Sequence, residues 1–399
     1  MKKTQEKWKK EKGITLIALV VTIVVLLILA GITINMLFGS DGIFKVAQDA
    51  ANAWNEATVN EQESLNNLAD QIANLVNGQV GGGDTSEEPW IPPTTVEEAI
   101  AQDKIFEETK QIKDNYDNTV TVPKGFKVTD EGTTVPDGIV IEDGAGNQFV
   151  WIPTGMYKVD ASGTTKTNDL TRRQWGRTAN VEQAPTLITG DEKTVGSGNQ
   201  KVYFGEGDTR SVAHETIENF LNSAKPVSEG GNGGFYIGRY EQGKGNVCKA
   251  GVSAYVSITR DAAKAQAEAM YTNKKQYGVT SELISSYAWD TALNFICQNS
   301  EHGYKLATTT ESTYGNIGTS NKTVTGGTPV DCYSNIYDIL GNCEEWTTEY
   351  SSFTVGSPAY PCVFRGGYYS DSGRYTGERY NTTKDGSADF ISFRLSLYV

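Results

Sequence analysis

The sequence predicts an α+β protein with a long N-terminal helix, a linker and a sheet-rich C-terminal domain. Three observations lead to this prediction. One uncharged apolar run stands near the N-terminus, a glycine- and proline-rich stretch without periodicity follows, and the rest alternates short strand-like runs with turns and two helical patterns. A few strands and helices joined by much irregular chain are typical of an α+β domain. The predicted parts are a basic leader at 1–13, an apolar and stalk helix at 14–77, a linker with a short helix at 78–119 and the sheet-rich domain at 120–399.

Composition and charge exclude several function classes. The chain has 399 residues, which is more than one average domain needs, and a net charge of −14. The acidic balance argues against nucleic acid as a partner, because phosphate binding requires clustered Lys and Arg. Two histidines leave little room for a His-rich metal site, and the five cysteines show no CxxC spacing. Disulfides and buried free thiols both stay open as alternatives.

The N-terminal region predicts a membrane anchor. Residues 1–13 contain six lysines and two glutamates, and no charged residue lies between Lys12 and Asp41. The apolar run at 14–38 is long enough to cross a bilayer, which takes about 20 residues in a helix. Because lysines on the N-terminal side keep that end cytoplasmic, we expect everything after Asp41 to lie outside the cell.

A stalk helix and a linker are predicted after the anchor. Apolar residues recur at steps of three and four over 43–76, which indicates an amphipathic helix. Its polar face carries amides and acids, so we interpret it as a packed stalk and not as a membrane-surface helix. Residues 78–95 read GQVGGGDTSEEPWIPPTT, a composition typical of a linker. A short helix is predicted at 96–113.

The C-terminal region contains a clear hairpin pattern and two helix patterns. Apolar runs at 138–142 and 148–152 flank the sequence DGAGN, which predicts a β-hairpin with a Gly-rich turn. Residues 260–271 and 289–298 carry helical periodicity. The remaining chain is rich in Gly, Ser, Thr and Tyr and predicts mostly loops.

The sequence GITLI at residues 13–17, between the basic leader and the apolar run, resembles the recognition sequence of type IV prepilins. The resemblance implies that a prepilin peptidase cuts after Gly13 and methylates Ile14, and it implies other pilins as partners. A plain uncleaved signal anchor is the alternative. Ala18 stands where the family usually has Glu, a residue that is expensive in lipid. This departure argues against a major, repeating pilin, and a minor or tip subunit and an unassembled anchored protein stay open.

Five segments of the C-terminal region occur in the order of a second family. They are FVWIP at 149–153, FYIGRYE at 235–241, YDILGNCEEW at 337–346, RGG at 365–367 and FR at 393–394. As a set they resemble the formylglycine-generating enzyme domain, which has a C-type-lectin-like fold.

Two missing cysteines argue against the activity of that enzyme. Active members carry two cysteines after RGG that bind copper, and soft thiolates suit Cu(I). Here the matching positions are Asp371 and Thr376, and no cysteine follows Cys362. We therefore predict no copper and no oxidase of that mechanism. An oxidoreductase of this type with altered chemistry stays as an alternative.

The same resemblance implies a calcium site near the GNCEEW sequence. The matching groups are the side chains of Asp338 and Glu345 and the carbonyls of Gly341 and Cys343. Hard oxygen ligands suit Ca²⁺. The alternative is a solvated turn that Asp338 caps.

Residues 368–381 read YYSDSGRYTGERYN and predict a ligand-binding loop. Tyrosines separated by Ser, Asp and Asn are typical of paratopes, because Tyr offers a rigid contact area and small polar residues adapt their hydrogen bonds. The segment also resembles the variable region of retroelement-diversified proteins; a family loop that only packs is the alternative. The residues predicted to contact the ligand are Tyr368, Tyr369, Ser370, Asp371, Ser372, Arg374, Tyr375, Thr376, Tyr380 and Asn381.

These patterns together predict a non-enzymatic, ligand-binding protein on a pilin-like membrane anchor. Its expected ligand is an extracellular protein or glycan, and its C-terminal domain is expected outside the cell or on a pilus. The altered oxidoreductase and a structural minor pilin are the alternatives.

The leader generates the first testable prediction. We expect the mature protein to begin at an N-methylated Ile14, because the basic leader, Gly13 and the uncharged run occur together. Mass spectrometry of membrane-extracted protein measures this directly. Recovery of residues 1–13 on the extracted chain would contradict it.

Overall fold

The computed structural model describes residues 90–175, 184–188, 192–195, 200–206, 213–353, 362–371, 373–383 and 385–399. The predicted leader, anchor and stalk lie outside these residues. Within the described ranges, no helix has the length and apolarity needed to cross a membrane. The chain divides into two units, Met1–Trp90 and Ile91–Val399, and the second unit carries the fold described below.

The described residues combine short helices with many short strands, as expected for the predicted α+β class. The helices are α1 (Val96–Gln102), α2 (Ala213–Ala224), α3 (Arg260–Ala269), α4 (Ser286–Asn299) and α5 (Lys305–Thr308), with 3₁₀ turns at Val227–Glu229 and Pro329–Asp331. The strands are β1 (Lys110–Lys113), β2 (Thr119–Val122), β3 (Phe126–Val128), β4 (Val140–Asp143), β5 (Gln148–Pro153), β6 (Gly155–Lys158), β7 (Thr165–Asn168), β8 (Arg173–Gln174), β9 (Thr186–Leu187), β10 (Glu192–Val195), β11 (Gln200–Glu206), β12 (Gly234–Gly238), β13 (Thr280–Leu283), β14 (Cys332–Tyr333), β15 (Ile336–Tyr337), β16 (Glu344–Phe353), β17 (Cys362–Arg365), β18 (Tyr380–Thr382), β19 (Ile391–Phe393) and β20 (Leu395–Tyr398).

The first of two six-stranded sheets in the described chain is antiparallel and has the order β13-β20-β12-β5-β4-β3. It contains the predicted hairpin, in which Val140 pairs with Val150. Asp143 closes the turn, because its Oδ1 accepts hydrogen bonds from the backbone N–H groups of Ala145 and Asn147 at 2.9 and 2.8 Å. This use of an Asp side chain explains why the DGAGN sequence forms the turn.

The second sheet has the order β10-β11-β16-β17-β18, and β19 pairs with β16 in parallel. One residue, Arg394, separates β19 in this sheet from β20 in the first. Its buried guanidinium donates to the carbonyls of Gly238 and Tyr337 at 2.6 and 2.8 Å and to the Glu345 carboxylate. Arg394 therefore ties together the chain segments that meet where the two sheets join.

The helix patterns at 260–271 and 289–298 are confirmed by α3 and α4. Ser285 caps α4 by accepting a hydrogen bond from the Ala288 N–H at 3.1 Å, and Thr259 caps α3 in the same way. Most of α4 is buried, including Trp289, which belongs to the core cluster. The helix therefore supplies fixed positions for side chains in the interior.

The helix predicted at 96–113 is wrong in its length. A capping box of Thr95 and Glu98 begins α1, and the helix ends where Asp103 adopts a left-handed conformation with φ of 46°. Residues 110–113 instead form β1, which pairs with β2. Within the predicted linker with a short helix at 78–119, α1 and β1 supply Val96, Ala99 and Ile112 to the core, so these residues belong to the folded unit.

All five cysteines lie in the described part of the chain, and each is a free thiol. Cys248, Cys297, Cys343 and Cys362 are buried, whereas Cys332 is partly exposed. Of the two alternatives left open by the sequence, the structure has the buried thiols, which pack as small apolar side chains.

Candidate functional site

The segment from Tyr368 to Asn381 connects two neighbouring strands of the second sheet. It leaves β17 after Arg365 and enters β18 at Tyr380, which pairs with Phe364. Gly366 and Gly367 begin the connection with φ values of 103° and 72°. Side-chain-bearing residues rarely adopt these values, so the two glycines let the chain turn out of the sheet.

Four buried charges lie at the base of this segment: Arg365, Arg379, Asp290 and Glu349, here called the base cluster. The Asp290 carboxylate accepts from Arg365 Nη2 and Arg379 Nη2, both at 2.6 Å, and Glu349 Oε1 accepts from Arg379 Nε at 2.7 Å. Arg365 precedes the segment and Arg379 lies near its end. The base cluster therefore attaches both ends of the segment to α4 and β16.

The pKa of Asp290 reflects this environment. Burial on its own would raise the pKa, but the two arginines outweigh it and the pKa of Asp290 falls to about 2. Asp290 also accepts a hydrogen bond from Trp175 Nε1 at 2.8 Å and from the Arg173 N–H at 2.8 Å. A buried carboxylate with this many donors stays ionised and fixes its partners.

The inner part of the segment is buried, in contrast to the prediction. Tyr375 is 8% exposed and Thr376 is fully buried. The Tyr375 hydroxyl donates to the Trp175 carbonyl at 3.2 Å, and a Cβ added to Gly377 would lie 2.5 Å from the Trp175 ring. These contacts leave Tyr375 and Thr376 no surface for a ligand, so the packing alternative holds for this part.

The outer part of the segment faces solvent. Ser370 is exposed, and Tyr368, Tyr369 and Asp371 are partly exposed. The Tyr368 ring stacks on Phe390 with ring centroids 4.3 Å apart. Ser372 lies outside the described residues. The outer part therefore presents aromatic and small polar groups side by side.

Backbone contacts hold this outer part in position. The Tyr369 N–H donates to the Asn342 carbonyl at 3.1 Å, and the Tyr369 carbonyl accepts from the Thr319 N–H at 2.5 Å. Both partners come from loops outside the segment, and the partly exposed Tyr369 ring is not needed for either bond. Side-chain changes at position 369 can therefore leave the backbone in place.

Arg374, Tyr380 and Asn381, all predicted to contact the ligand, are partly exposed, but Arg374 is paired within the protein. Its guanidinium lies 3.6 Å from the centre of the Tyr380 ring and pairs with the carboxylates of Asp371 and Glu344. Its charge is therefore already balanced within the protein.

Two residues that contact side chains of the segment were missed by the sequence prediction. Phe390 extends the aromatic surface from a position outside the segment, and no local pattern marks it. Glu344 stands in the GNCEEW sequence, so the motif itself could have suggested it, but only the fold places its carboxylate under Arg374.

The residues predicted to bind calcium lie in one stretch of the chain, and Glu345 among them is paired with a buried arginine. Both Glu345 oxygens accept from Arg394, at 2.7 to 3.1 Å, so a cation already balances this carboxylate. Asp338 is buried and accepts from the Gly326 N–H, while Cys343 donates its N–H to Glu241. Gly341 adopts φ of 116° in the same turn. No group of three or more His, Cys, Asp or Glu in the described ranges is arranged to hold a metal ion.

Comparison with protein families identifies one motif. Residues 8–34 match the prokaryotic N-terminal methylation motif. This match includes Gly13 and Ile14 and confirms the motif predicted from the sequence. No curated protein matches the chain.

Among solved structures, the chain is similar to CarF, at 14% identity over 63% of this chain and 98% of CarF, with a TM-score of 0.33. It is also similar to PvdO from Pseudomonas aeruginosa, at 14% identity over 65% of this chain and 98% of that chain, with a TM-score of 0.33. Treponema denticola variable protein 1 matches at 13% identity over 69% of this chain and 99% of that chain, with a TM-score of 0.28.

The base cluster generates a stability prediction. Asp290→Asn keeps the side-chain shape but leaves Glu349 as the one carboxylate of the base cluster that balances two arginines. We therefore expect it to lower the free energy of unfolding by about 3–5 kcal/mol at pH 7. Because the pKa of Asp290 is lowered from 3.8 to about 2 in the folded protein, its contribution is complete above pH 4 and is lost as the pH falls towards 2.

Urea unfolding at several pH values measures both effects. The matched control is Asp103→Asn, since Asp103 pairs with Lys127 at 2.8 Å on the surface, where an ion pair contributes about 1 kcal/mol or less. The prediction would be contradicted if both variants lost the same free energy of unfolding. It would also be contradicted if the difference in this free energy between Asp290→Asn and the wild type did not shrink at low pH.

Calcium binding stays a prediction from the resemblance. Since a bound ion stabilises the folded state, we expect a calcium chelator to lower the melting temperature and this response to disappear in Asp338→Asn. An identical melting temperature with and without the chelator would contradict the site.

Proposed function

We propose that this protein is a non-enzymatic, surface-displayed binding protein whose ligand contacts the outer part of the 368–381 segment and Phe390. The observation that carries the proposal is the division of the segment. Arg365, just before the segment, and Arg379, near its end, pair with buried carboxylates, and Tyr375 in the inner part is buried. Tyr368 and Tyr369 are partly exposed. Binding residues are commonly placed on a loop that a rigid scaffold positions.

The chemistry of the surface supports a binding role over an oxidoreductase. Asp371 and Thr376 stand where copper-binding cysteines are expected, and Asp371 pairs with Arg374 while Thr376 is buried. Two adjacent tyrosines in edge-to-face contact, with serine and aspartate beside them, favour recognition of a protein or glycan surface. They combine a rigid contact area with adaptable hydrogen bonds.

The N-terminal methylation motif supports a position at the cell surface. We propose that the anchor holds the Ile91–Val399 unit outside the cell, either on the membrane or on a pilus. The two sheets, together with the RGG and FR sequences, support a C-type-lectin-like architecture for this unit. In this proposal the pilin-like part supplies location and the C-terminal unit supplies recognition.

Sequence diversification is part of the proposal and has a structural limit. Changes at Tyr368, Tyr369, Ser370 and Asp371 alter exposed or partly exposed groups. Changes at Tyr375, Thr376 or Gly377 disturb packing against Trp175 and its neighbours. We therefore infer that tolerated variation is confined to the outer positions.

The test compares an outer with an inner tyrosine in the full-length protein. We expect Tyr369→Ala to keep the melting temperature within a few degrees and to weaken binding by about 30-fold, the loss that corresponds to an anchor contributing about 2 kcal/mol. We expect Tyr375→Ala to lower the free energy of unfolding by about 3–5 kcal/mol, because it truncates a buried aromatic side chain.

Binding is measured with labelled full-length protein on a glycan array and on a panel of intact cells. The control is Met156→Ala, which changes a side chain that is 73% exposed on β6, outside the segment. Unchanged binding of folded Tyr369→Ala, or an equal loss in Met156→Ala, would argue against this surface.

A further inference from the structure

Arg374 occupies a site built from aromatic rings and carboxylates. Its guanidinium lies 3.6 Å from the centre of the Tyr380 ring and 5.8 Å from the centre of the Tyr368 ring. Its Nε contacts Asp371 Oδ2 at 3.0 Å, and its Nη1 donates to Glu344 Oε1. We call the four residues Tyr368, Tyr380, Asp371 and Glu344 the 374 cage.

The carboxyl groups of the 374 cage outnumber its cation. Two carboxyl groups contact a single guanidinium, and burial raises the pKa of Glu344 to about 8, so the excess of negative charge is present above that pH. The Glu344 side chain is 2% exposed, and within the described residues its Oε2 has no hydrogen-bond partner. Because a buried polar atom without a partner is costly, this oxygen marks unused capacity for a donor.

The walls of the 374 cage are held independently of Arg374. Glu344 belongs to β16, where it pairs with Ile391 of β19 and donates its N–H to the Phe390 carbonyl at 2.8 Å. Asp371 Oδ1 accepts from the Gly373 N–H at 2.8 Å, and Tyr380 lies in β18. Removing the Arg374 side chain therefore leaves carboxylates and rings facing an empty space.

We propose that the 374 cage is a guanidinium-binding subsite that Arg374 fills in this chain, and that residue 374 determines whether the subsite is closed or open. With Arg374 the protein supplies its own cation. With a small residue at 374 the subsite takes an external guanidinium. Charge-assisted hydrogen bonds to carboxylates and cation–π contacts with tyrosine both favour such a group.

This assignment also names a ligand class for variants of the binding surface that lack Arg374. In such variants a protein ligand that presents an arginine side chain matches the open form, and residue 374 then acts as a specificity-determining position. This second step rests on the proposed function, whereas the subsite itself does not.

The experiment uses the full-length protein and propylguanidinium as the probe. We expect Arg374→Ala to bind propylguanidinium at least about tenfold more tightly than the wild type, in which Arg374 blocks the site, since a tenfold change corresponds to about 1.4 kcal/mol. The matched control is the double variant Arg374→Ala, Glu344→Gln, which removes one carboxylate charge and should return the affinity to the wild-type level. Calorimetry at pH 9 measures binding while the probe keeps its charge.

Propylurea, which has a similar shape without the charge, should bind the wild type, Arg374→Ala and the double variant with equal affinity. Equal affinity of propylguanidinium for the single and double variants, or no gain over the wild type, would overturn the subsite.

A second measurement covers the case in which Arg374→Ala is unstable because Glu344 loses its partner. Millimolar propylguanidinium should then raise the melting temperature of Arg374→Ala towards that of the wild type, and propylurea should not. Absence of this rescue would also overturn the proposal. Neither the calorimetry nor the melting experiment uses the natural ligand. A negative result in them therefore concerns the subsite alone and not the proposed binding function.

Discussion

The base cluster is the interaction on which the candidate surface depends. Asp290 and Glu349 come from a helix and a strand, Arg365 ends the strand before the 368–381 segment, and Arg379 lies near the end of that segment. Buried charges of this kind are tolerated only when they are paired, because an unpaired charge in the interior is very costly. The pairing therefore fixes where the segment leaves the sheet and where it returns.

Fixed ends explain why one short segment has two different roles. The inner residues Tyr375, Thr376 and Gly377 pack against Trp175 and neighbouring chain, so they behave as core. The outer residues are partly exposed, and backbone bonds hold them in place without using their side chains. A surface of this design can change its side chains while the fold beneath it stays the same.

Another buried arginine, Arg394, shows how the residues of a sequence motif acquire structural roles. Arg394 binds Glu345 and two backbone carbonyls at the crossover between the sheets. The pKa of Glu345 is raised by burial, and Arg394 opposes this rise by favouring the ionised form. A carboxylate that the sequence motif suggested as a calcium ligand thus serves in this structure to join the two sheets.

The sequence by itself determined the features that depend on neighbouring residues. The methylation motif, the hairpin around DGAGN and the helices α3 and α4 follow from local charge, turn residues and periodicity. The tertiary structure alone decided that Tyr375 is buried and that Arg374 is paired. The reason is physical: Tyr375 bonds to Trp175, 200 positions away, and Arg374 pairs with Glu344, 30 positions away. Contacts between such distant residues exist only once the sheets have brought them together, so no local pattern contains them.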